Sequence, residues 1–109
     1  MDSRSKIVSP SELPPGTRLV SGCFDPLLAV HAAWLAEARG PAAKLAVIVK
    51  DPAVAILPAR ARAELVAALR IVDYVVLDAP GLLPADIQLE QQDAAAAAAF
   101  VAHVHQRQG

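Results

Sequence analysis

The sequence predicts one α/β domain of the Rossmann-like, three-layer α/β/α type, with a small, mainly parallel sheet of about four strands. Its 109 residues suit a single domain, and 55% of them are hydrophobic, which is enough for one substantial core. Apolar, β-branched segments also alternate along the chain with segments of helical spacing. Such alternation is typical of a parallel sheet with helices on both faces.

The first third of the chain predicts a lead-in, a strand and a helix. Residues 1–16 contain closely spaced prolines, which predict turns before the first strand. A buried strand is predicted at 17–24, because this segment is apolar and has a glycine near its end. Asp25 and Pro26 are typical of a helix start, since Asp caps the first amides and Pro fits the first turn. The first helix is predicted at 28–39.

The middle of the chain predicts a central strand and a second helix. Residues 44–50 form an apolar, β-branched run of the length expected for a central parallel strand. The second helix is predicted at 58–71. Its buried stripe is predicted to consist of Leu65, Ala68 and Leu69, with the arginines elsewhere on the helical wheel.

The last part of the chain predicts two short strands and a C-terminal helix. The strands are predicted at 73–77 and 86–90, and the helix at 93–107 with Asp93 as its N-cap. For the fourth strand to pair beside the first, residues 78–85 must cross the sheet. Fully extended, they reach roughly 26 to 29 Å, whereas the crossing needs about 22 Å. The topology is therefore feasible without a further helix.

Charge and composition exclude several classes of partner. The net charge is −1 and no basic patch is visible, so nucleic acid is not a predicted partner. The longest apolar run, 94–102, is about half of a membrane span, so no membrane role is predicted. The first residues lack the apolar stretch of a secretory signal, and a cytoplasmic location is the expectation. A single cysteine, Cys23, predicts neither a disulfide nor a structural zinc site, and no metal site is predicted.

The candidate site is the turn formed by residues 21–25 together with the start of the first helix. Ligands of open α/β sheets bind beyond the carboxyl ends of the strands, where the strand order reverses. Gly22 lets another group approach the backbone, and the free amides at the head of the helix favour an anion such as phosphate. The chain contains neither a GxGxxG fingerprint nor a P-loop motif.

Two motif blocks carry a family resemblance. The Gly-Cys-Phe-Asp tetrapeptide at 22–25 is followed six residues later by His31. This pattern resembles the GxFDxxHxGH signature of the cytidylyltransferase-like nucleotidyltransferases, and residues 62–76 resemble the RxxxLxxLxxVDxVV segment of the same family. The resemblance covers residues 6–89 and is most similar to the nucleotidyltransferase domain that activates heptose phosphates.

The resemblance implies roles for individual residues. His31 would be the catalytic residue. The implied nucleotide- or phosphate-binding residues are Gly22, Cys23, Phe24, Asp25 and Arg62. The implied ligand is a nucleotide, CTP or ATP, or a phosphorylated small molecule. An active member would join a nucleoside triphosphate to a sugar or alcohol phosphate and release pyrophosphate, with Mg²⁺ neutralising the phosphates.

The chain departs from the family pattern at positions that have chemical roles in the family. Leu28 replaces the first histidine of the signature, and Val30 replaces the glycine between the two histidines. Leucine cannot stabilise the charge that develops as pyrophosphate leaves. The ISxTxxR-like loop and helix start that grips the triphosphate in the family has no counterpart. The KGgD-like stretch that follows the fourth strand in the family is also missing, and residues 90–93 take its place. We therefore expect a degenerate member that binds nucleotide or phosphate with weak or no transferase activity.

Two alternatives and several structural interpretations stay open. The protein could be a working nucleotidyltransferase in which His31 acts alone, or a structural subunit of a homo-oligomer, such as a homodimer, formed through the alanine-rich final helix. Asp25 could simply cap the first helix, and His31 could be a remnant or a satisfied half-buried histidine. Arg62 could lie on an exposed helix face, and Cys23 could be an inert buried thiol.

Overall fold

A four-stranded, all-parallel sheet forms the centre of the computed structural model, which describes residues 3–108 except 26, 53, 80, 81 and 83. The strands are β1 (Arg18–Gly22), β2 (Leu45–Val49), β3 (Tyr74–Leu77) and β4 (Ile87–Gln88). Their order across the sheet is β3-β2-β1-β4. The predicted Rossmann-like α/β fold is confirmed, with the third strand at one edge and the fourth beside the first.

Three helices and two short 3-10 segments complete the described chain. The helices are α1 (Ala29–Arg39), α2 (Ala59–Ala67) and α3 (Glu90–Gln108), and the 3-10 segments are Ser3–Lys6 and Pro10–Glu12. The prediction for α1 agrees to one residue at its start. The prediction for α2 extended too far, because the chain after Ala67 continues in tight turns, with the Leu69 amide bonded to the Val66 carbonyl at 3.1 Å. The prediction for α3 began three residues too late.

The register of the sheet places matching valines side by side. Val20 pairs with Val47, which in turn pairs with Val75, so the three lie on one face. They belong to a single buried core with Leu35 of α1 and Val66 of α2. The opposite face is buried as well, through Ser21, Ala46, Ile48 and Val76. Burial on both faces explains why β2 reads as a continuous apolar run rather than an alternating one.

The buried face of α2 differs from the predicted stripe. Leu65 is 45% exposed and Ala68 is also exposed. The residues of α2 that are buried are Arg62, Ala63, Val66 and Ala67. Two small alanines bring the helix close to the sheet, and the phase of the helix directs an arginine inward. A pattern of apolar residues alone misplaces such a face, because it assigns every arginine to the solvent side.

The sheet edge that carries β4 brings two chain segments together. β4 runs parallel to β1, with Ser21 opposite Gln88. The Leu89 amide continues the ladder by donating to the Ser21 carbonyl at 2.8 Å. Parallel pairing places the residues that follow β1 next to those that follow β4. Three residues of the predicted crossing at 78–85 lie outside the described part of the chain, namely 80, 81 and 83.

Two further observations concern the predicted lead-in and the helices. Within the predicted lead-in, Ile7 forms an isolated parallel bridge with Val75. Among the helices in the described part of the chain, none combines the length and apolarity needed to cross a lipid bilayer.

Candidate functional site

The loop that follows β1 contains a residue in a left-handed backbone conformation, which the sequence analysis does not predict. Phe24 has φ +52°, a left-handed conformation that costs a bulky residue about 1 to 3 kcal/mol. Its ring is fully buried, and a Cβ added at Gly22 would lie 2.8 Å from two atoms of that ring. Gly22 therefore does permit the close approach expected of it, and the approaching groups belong to this chain.

Asp93, from the first turn of α3, holds the strained loop in place. Its Oδ2 accepts hydrogen bonds from the backbone amides of Cys23 at 2.5 Å and Phe24 at 2.6 Å. Its Oδ1 lies 2.6 Å from Nε2 of His31. Successive amides around a left-handed residue form an anion-binding concavity. The carboxylate of Asp93 fills that concavity, with 1% of its side chain exposed.

The prediction that Asp93 caps the last helix is wrong. α3 begins at Glu90, so Asp93 lies inside the first helical turn and its own amide donates to the Leu89 carbonyl at 2.8 Å. Its carboxylate is directed toward the loop after β1 instead of toward the amides of its own helix. The cause is tertiary: pairing of β4 with β1 brings the two segments together.

His31 is a buried member of the same network. Its Nδ1 accepts a hydrogen bond from the Leu28 amide at 2.8 Å, so Nε2 carries the proton and donates it to Asp93. The ring contacts Phe24 and Trp34 edge to face, at centroid distances of 5.0 and 5.3 Å. None of its surface is exposed. His31 is therefore fully rather than half buried, and both of its ring nitrogens are satisfied within the protein.

The network keeps Asp93 ionised. Burial by itself raises the pKa of this carboxyl, but hydrogen bonds from His31 and from the amides of Phe24 and Cys23 stabilise the carboxylate more strongly. The resulting pKa lies below the ordinary value of an aspartate. The contact is therefore a charge-assisted one between a carboxylate and three N–H donors.

Asp25 connects two loops and does not cap a helix. Its carboxylate accepts from the Ile56 amide at 2.5 Å and from the Leu57 amide at 2.8 Å. The residue that precedes α1 is Leu28, so the expectation that Asp25 caps the first helix is wrong. The residue at 26 lies outside the described part of the chain. Asp25 thus fixes the chain before α2 to the loop after β1.

Arg62 ties the same loops together from inside the protein. Its Nε donates to the Leu57 carbonyl at 3.0 Å, and its Nη1 donates to the carbonyls of Cys23 at 3.0 Å and Lys50 at 2.7 Å. Its Nη2 pairs with Asp51 Oδ1 at 2.7 Å. Only 1% of the side chain is exposed, so the interpretation as a solvated surface arginine is wrong.

A cleft of about 760 Å³ opens beyond the carboxyl ends of the strands, and we call it the β1–β4 cleft. Its lining consists of Cys23, Lys50, Asp51, Pro52, Gln88, Glu90, Gln91 and Ala94. The cleft lies where the strand order reverses, because β1 is followed in sequence by β2 on one side and is flanked by β4 on the other. Its volume falls within the range of small-molecule sites.

The pKa of the Cys23 thiol reflects burial and the charges around this cleft. Burial raises the pKa of this half-buried thiol, and the carboxylates of Asp93, Glu90 and Asp25 raise it further, against the opposing effect of Arg62. The cysteine is therefore a neutral thiol at neutral pH, which makes it a poor nucleophile.

The residues at the cleft do not fit a resident Mg²⁺ ion. Carboxylate oxygens are the preferred ligands of this ion, but those of Asp25 and Asp93 already accept backbone amides. Asp51 is paired with Arg62, and Glu90 accepts from the Ser21 hydroxyl at 2.5 Å. No group of three His, Cys, Asp or Glu residues in the described ranges is arranged to hold a metal ion.

The structure brings all the candidate residues from the sequence into one region. Gly22, Cys23, Phe24, Asp25, His31 and Arg62 all belong to the loop after β1 or contact it directly. Seven cleft residues were not among the candidates, and five of them are polar: Lys50, Asp51, Gln88, Glu90 and Gln91. The available signal was their position immediately after or at the end of a predicted strand, because the carboxyl ends of parallel strands meet at one edge.

Comparison with known proteins adds no family assignment, since no family model and no curated protein matches this chain. The resemblance to nucleotidyltransferases therefore depends on the two motif blocks.

We predict that Arg62→Lys lowers the free energy of unfolding by about 2 to 4 kcal/mol. One ammonium group cannot reach the four acceptors that the guanidinium serves in three loop segments. Arg60→Lys, two residues away on an exposed part of α2, is the matched control and should change stability by less than about 0.5 kcal/mol. Chemical denaturation measures both, and equal losses would contradict the prediction.

We predict a specific pH dependence for Asp93→Asn. The pKa of Asp93 is lowered in the folded protein, so its stabilising effect is present above its unfolded pKa and is lost as the pH falls through the folded pKa. The difference in unfolding free energy between wild type and Asp93→Asn should be largest above about pH 4 and shrink below it. Denaturation at a series of pH values measures this. Glu37→Gln, at an exposed position, is the control. A difference in unfolding free energy between wild type and Asp93→Asn that does not change with pH would contradict the lowered pKa of Asp93.

Proposed function

We propose that this protein is a nucleotidyltransferase-like domain that binds a nucleoside- or nucleotide-type ligand in the β1–β4 cleft and does not transfer nucleotidyl groups. The observation that carries the second part is the position of the Asp93 carboxylate. It takes up the amides of Cys23 and Phe24, at the turn where the family resemblance implies a phosphate.

An incoming phosphate would have to displace an intramolecular anion. The Asp93 carboxylate receives three hydrogen bonds, is desolvated, and carries the same sign of charge as a phosphate. Its displacement would leave a buried carboxylate without partners, which costs several kcal/mol. The anion at this turn is therefore the carboxylate of Asp93. No amide of Cys23 or Phe24 is left to stabilise the charge that develops on a leaving pyrophosphate.

Two further residues to which the resemblance assigns a role are engaged as well. His31 has no exposed surface and uses both ring nitrogens within the protein. Arg62 is buried and donates to three backbone carbonyls and one carboxylate. A group that stabilises a transition state has to touch the reacting atoms. Both side chains instead support the proposal of a domain without transferase chemistry.

The β1–β4 cleft supports the binding half of the proposal. Open α/β sheets bind their ligands at the switch in strand order, and the cleft occupies that place. Its lining combines the amides of Gln88 and Gln91 with the apolar surfaces of Pro52 and Ala94. Polar side chains beside apolar surface can fix the orientation of a small organic ligand.

The proposal predicts ligand binding without turnover. Calorimetric titration with CTP, ATP and the corresponding nucleosides should show binding of at least one of them. Pyrophosphate release from CTP or ATP with Mg²⁺, measured across a panel of sugar and alcohol phosphates, should not exceed the rate without protein.

The active-enzyme alternative makes the opposite prediction. Pyrophosphate release that is lost in His31→Gln, with the circular dichroism spectrum unchanged, would establish a transferase and overturn the proposal. If none of the nucleosides or nucleotides binds, the binding half is wrong and a structural role remains.

Self-association through α3 is a second candidate role, and one observation favours it. Beyond the first turn, the described side chains Ala94, Ala95, Ala98, Ala99 and Phe100 are exposed. The stretch from 94 to 102 carries no charged residue. A helix that is apolar on all sides is normally buried, so a second copy of this chain would be a suitable cover.

This second role predicts a homodimer in solution. Light scattering coupled to size exclusion should give a dimer for the wild-type protein and a monomer for Ala98→Glu, because the new charge would be buried in the contact. Ala32→Glu, at an exposed position of α1, is the control and should remain dimeric. A wild-type protein that is monomeric at high concentration would remove this role.

A further inference from the structure

The charge distribution around the β1–β4 cleft narrows the class of ligand. Lys50 and Arg62 are the cations at the cleft in the described part of the chain, and each is already paired with a carboxylate. Lys50 Nζ lies 3.6 Å from Asp78, and Arg62 pairs with Asp51. Glu90 adds a carboxylate to the lining whose hydrogen-bond donor is the neutral hydroxyl of Ser21.

Two further carboxylates lie beneath the cleft. Asp93 binds the amide of Cys23, which lines the cleft, and Asp25 is held by the loop before α2. Two cations therefore stand against five carboxylates in and around this cavity. Burial is the largest cause of the raised pKa of the Cys23 thiol, and the nearby carboxylates raise this pKa further against the opposing effect of Arg62, in agreement with this balance.

A polyphosphate chain is poorly suited to such a cavity. Its negative charges would face the carboxylates of Glu90 and Asp51, and the nearby cations are compensated. Repulsion between like charges is stronger at a partly desolvated site than in water. The amides of the loop after β1, where the resemblance implies a phosphate, are occupied by Asp93.

The same lining suits an uncharged ligand that forms directional hydrogen bonds. Gln88 and Gln91 each offer a donor and an acceptor, and Glu90 is a further acceptor. Pro52 and Ala94 provide apolar surface for a flat ring. The volume of about 760 Å³ accommodates a base with its ribose.

We propose that the β1–β4 cleft binds an uncharged, hydrogen-bonding ligand of nucleoside size and discriminates against its polyphosphate. This inference rests on the proposed function, because it specifies the ligand of the same cleft. Discrimination arises from the carboxylates that surround the cavity and from the internal anion at the loop after β1.

The test compares each nucleoside with its triphosphate by calorimetry in metal-free buffer. At an ionic strength of about 0.02 M, the nucleoside should bind at least about tenfold more tightly, and the difference should narrow at about 0.5 M because salt screens the repulsion. Glu90→Gln, which keeps an acceptor for Ser21, should raise the triphosphate affinity several-fold. Glu64→Gln, on α2 outside the cleft lining, is the matched control and should leave the ratio unchanged.

A second pair of variants assigns the binding to this cleft. Ala94→Trp would fill the cavity and should abolish nucleoside binding, whereas Ala95→Trp, exposed on the same helix and outside the lining, should not. Triphosphate binding equal to or tighter than that of the nucleoside would overturn this inference and leave the proposed function standing. The absence of binding by every nucleoside and nucleotide would overturn both. Nucleoside binding that survives Ala94→Trp would overturn the location.

Discussion

The carboxylate of Asp93, held by three N–H donors, is the interaction on which the carboxyl end of the sheet depends. It connects α3 to the loop after β1 and compensates the left-handed conformation of Phe24. It also sets the tautomer of His31, whose second nitrogen is held by the Leu28 amide. A single buried anion thereby fixes a loop, a histidine and the start of a helix. The same anion stabilises this loop from within the chain.

Arg62 and Asp25 complete this arrangement with opposite charges. The arginine gathers carbonyls from the ends of β1 and β2 and from the loop before α2, and the aspartate binds amides of that last loop. Side chains that hold backbone groups of several loops make a rigid edge, because each loop would lose buried hydrogen bonds by moving. The residues that resemble a phosphate-binding set thus form the framework of the cleft rather than its lining. Among them, Cys23 alone lines it.

The sequence could predict most of the fold but little of the site. The apolar run of β2 and the spacing of α1 are local signals, and both elements were predicted to within a residue or two. The prediction of the inward face of α2 is wrong, because the buried Arg62 donates hydrogen bonds to carbonyls from distant segments of the chain. The prediction that Asp93 caps a helix is wrong for the same reason. The amides that bind its carboxylate lie about 70 residues earlier in the chain and become neighbours only in the folded sheet.

By itself, the sequence determined the number and order of the elements, the parallel sheet and the feasibility of the crossing to β4, because these follow from periodicity and chain length. It also placed the candidate residues around one loop. The tertiary structure alone decided what those residues contact, since pairing of β4 with β1 brings α3 against the loop at residues 23 and 24. An aspartate and a histidine acquire their roles from donors and acceptors that surround them in space, and no local pattern encodes those partners.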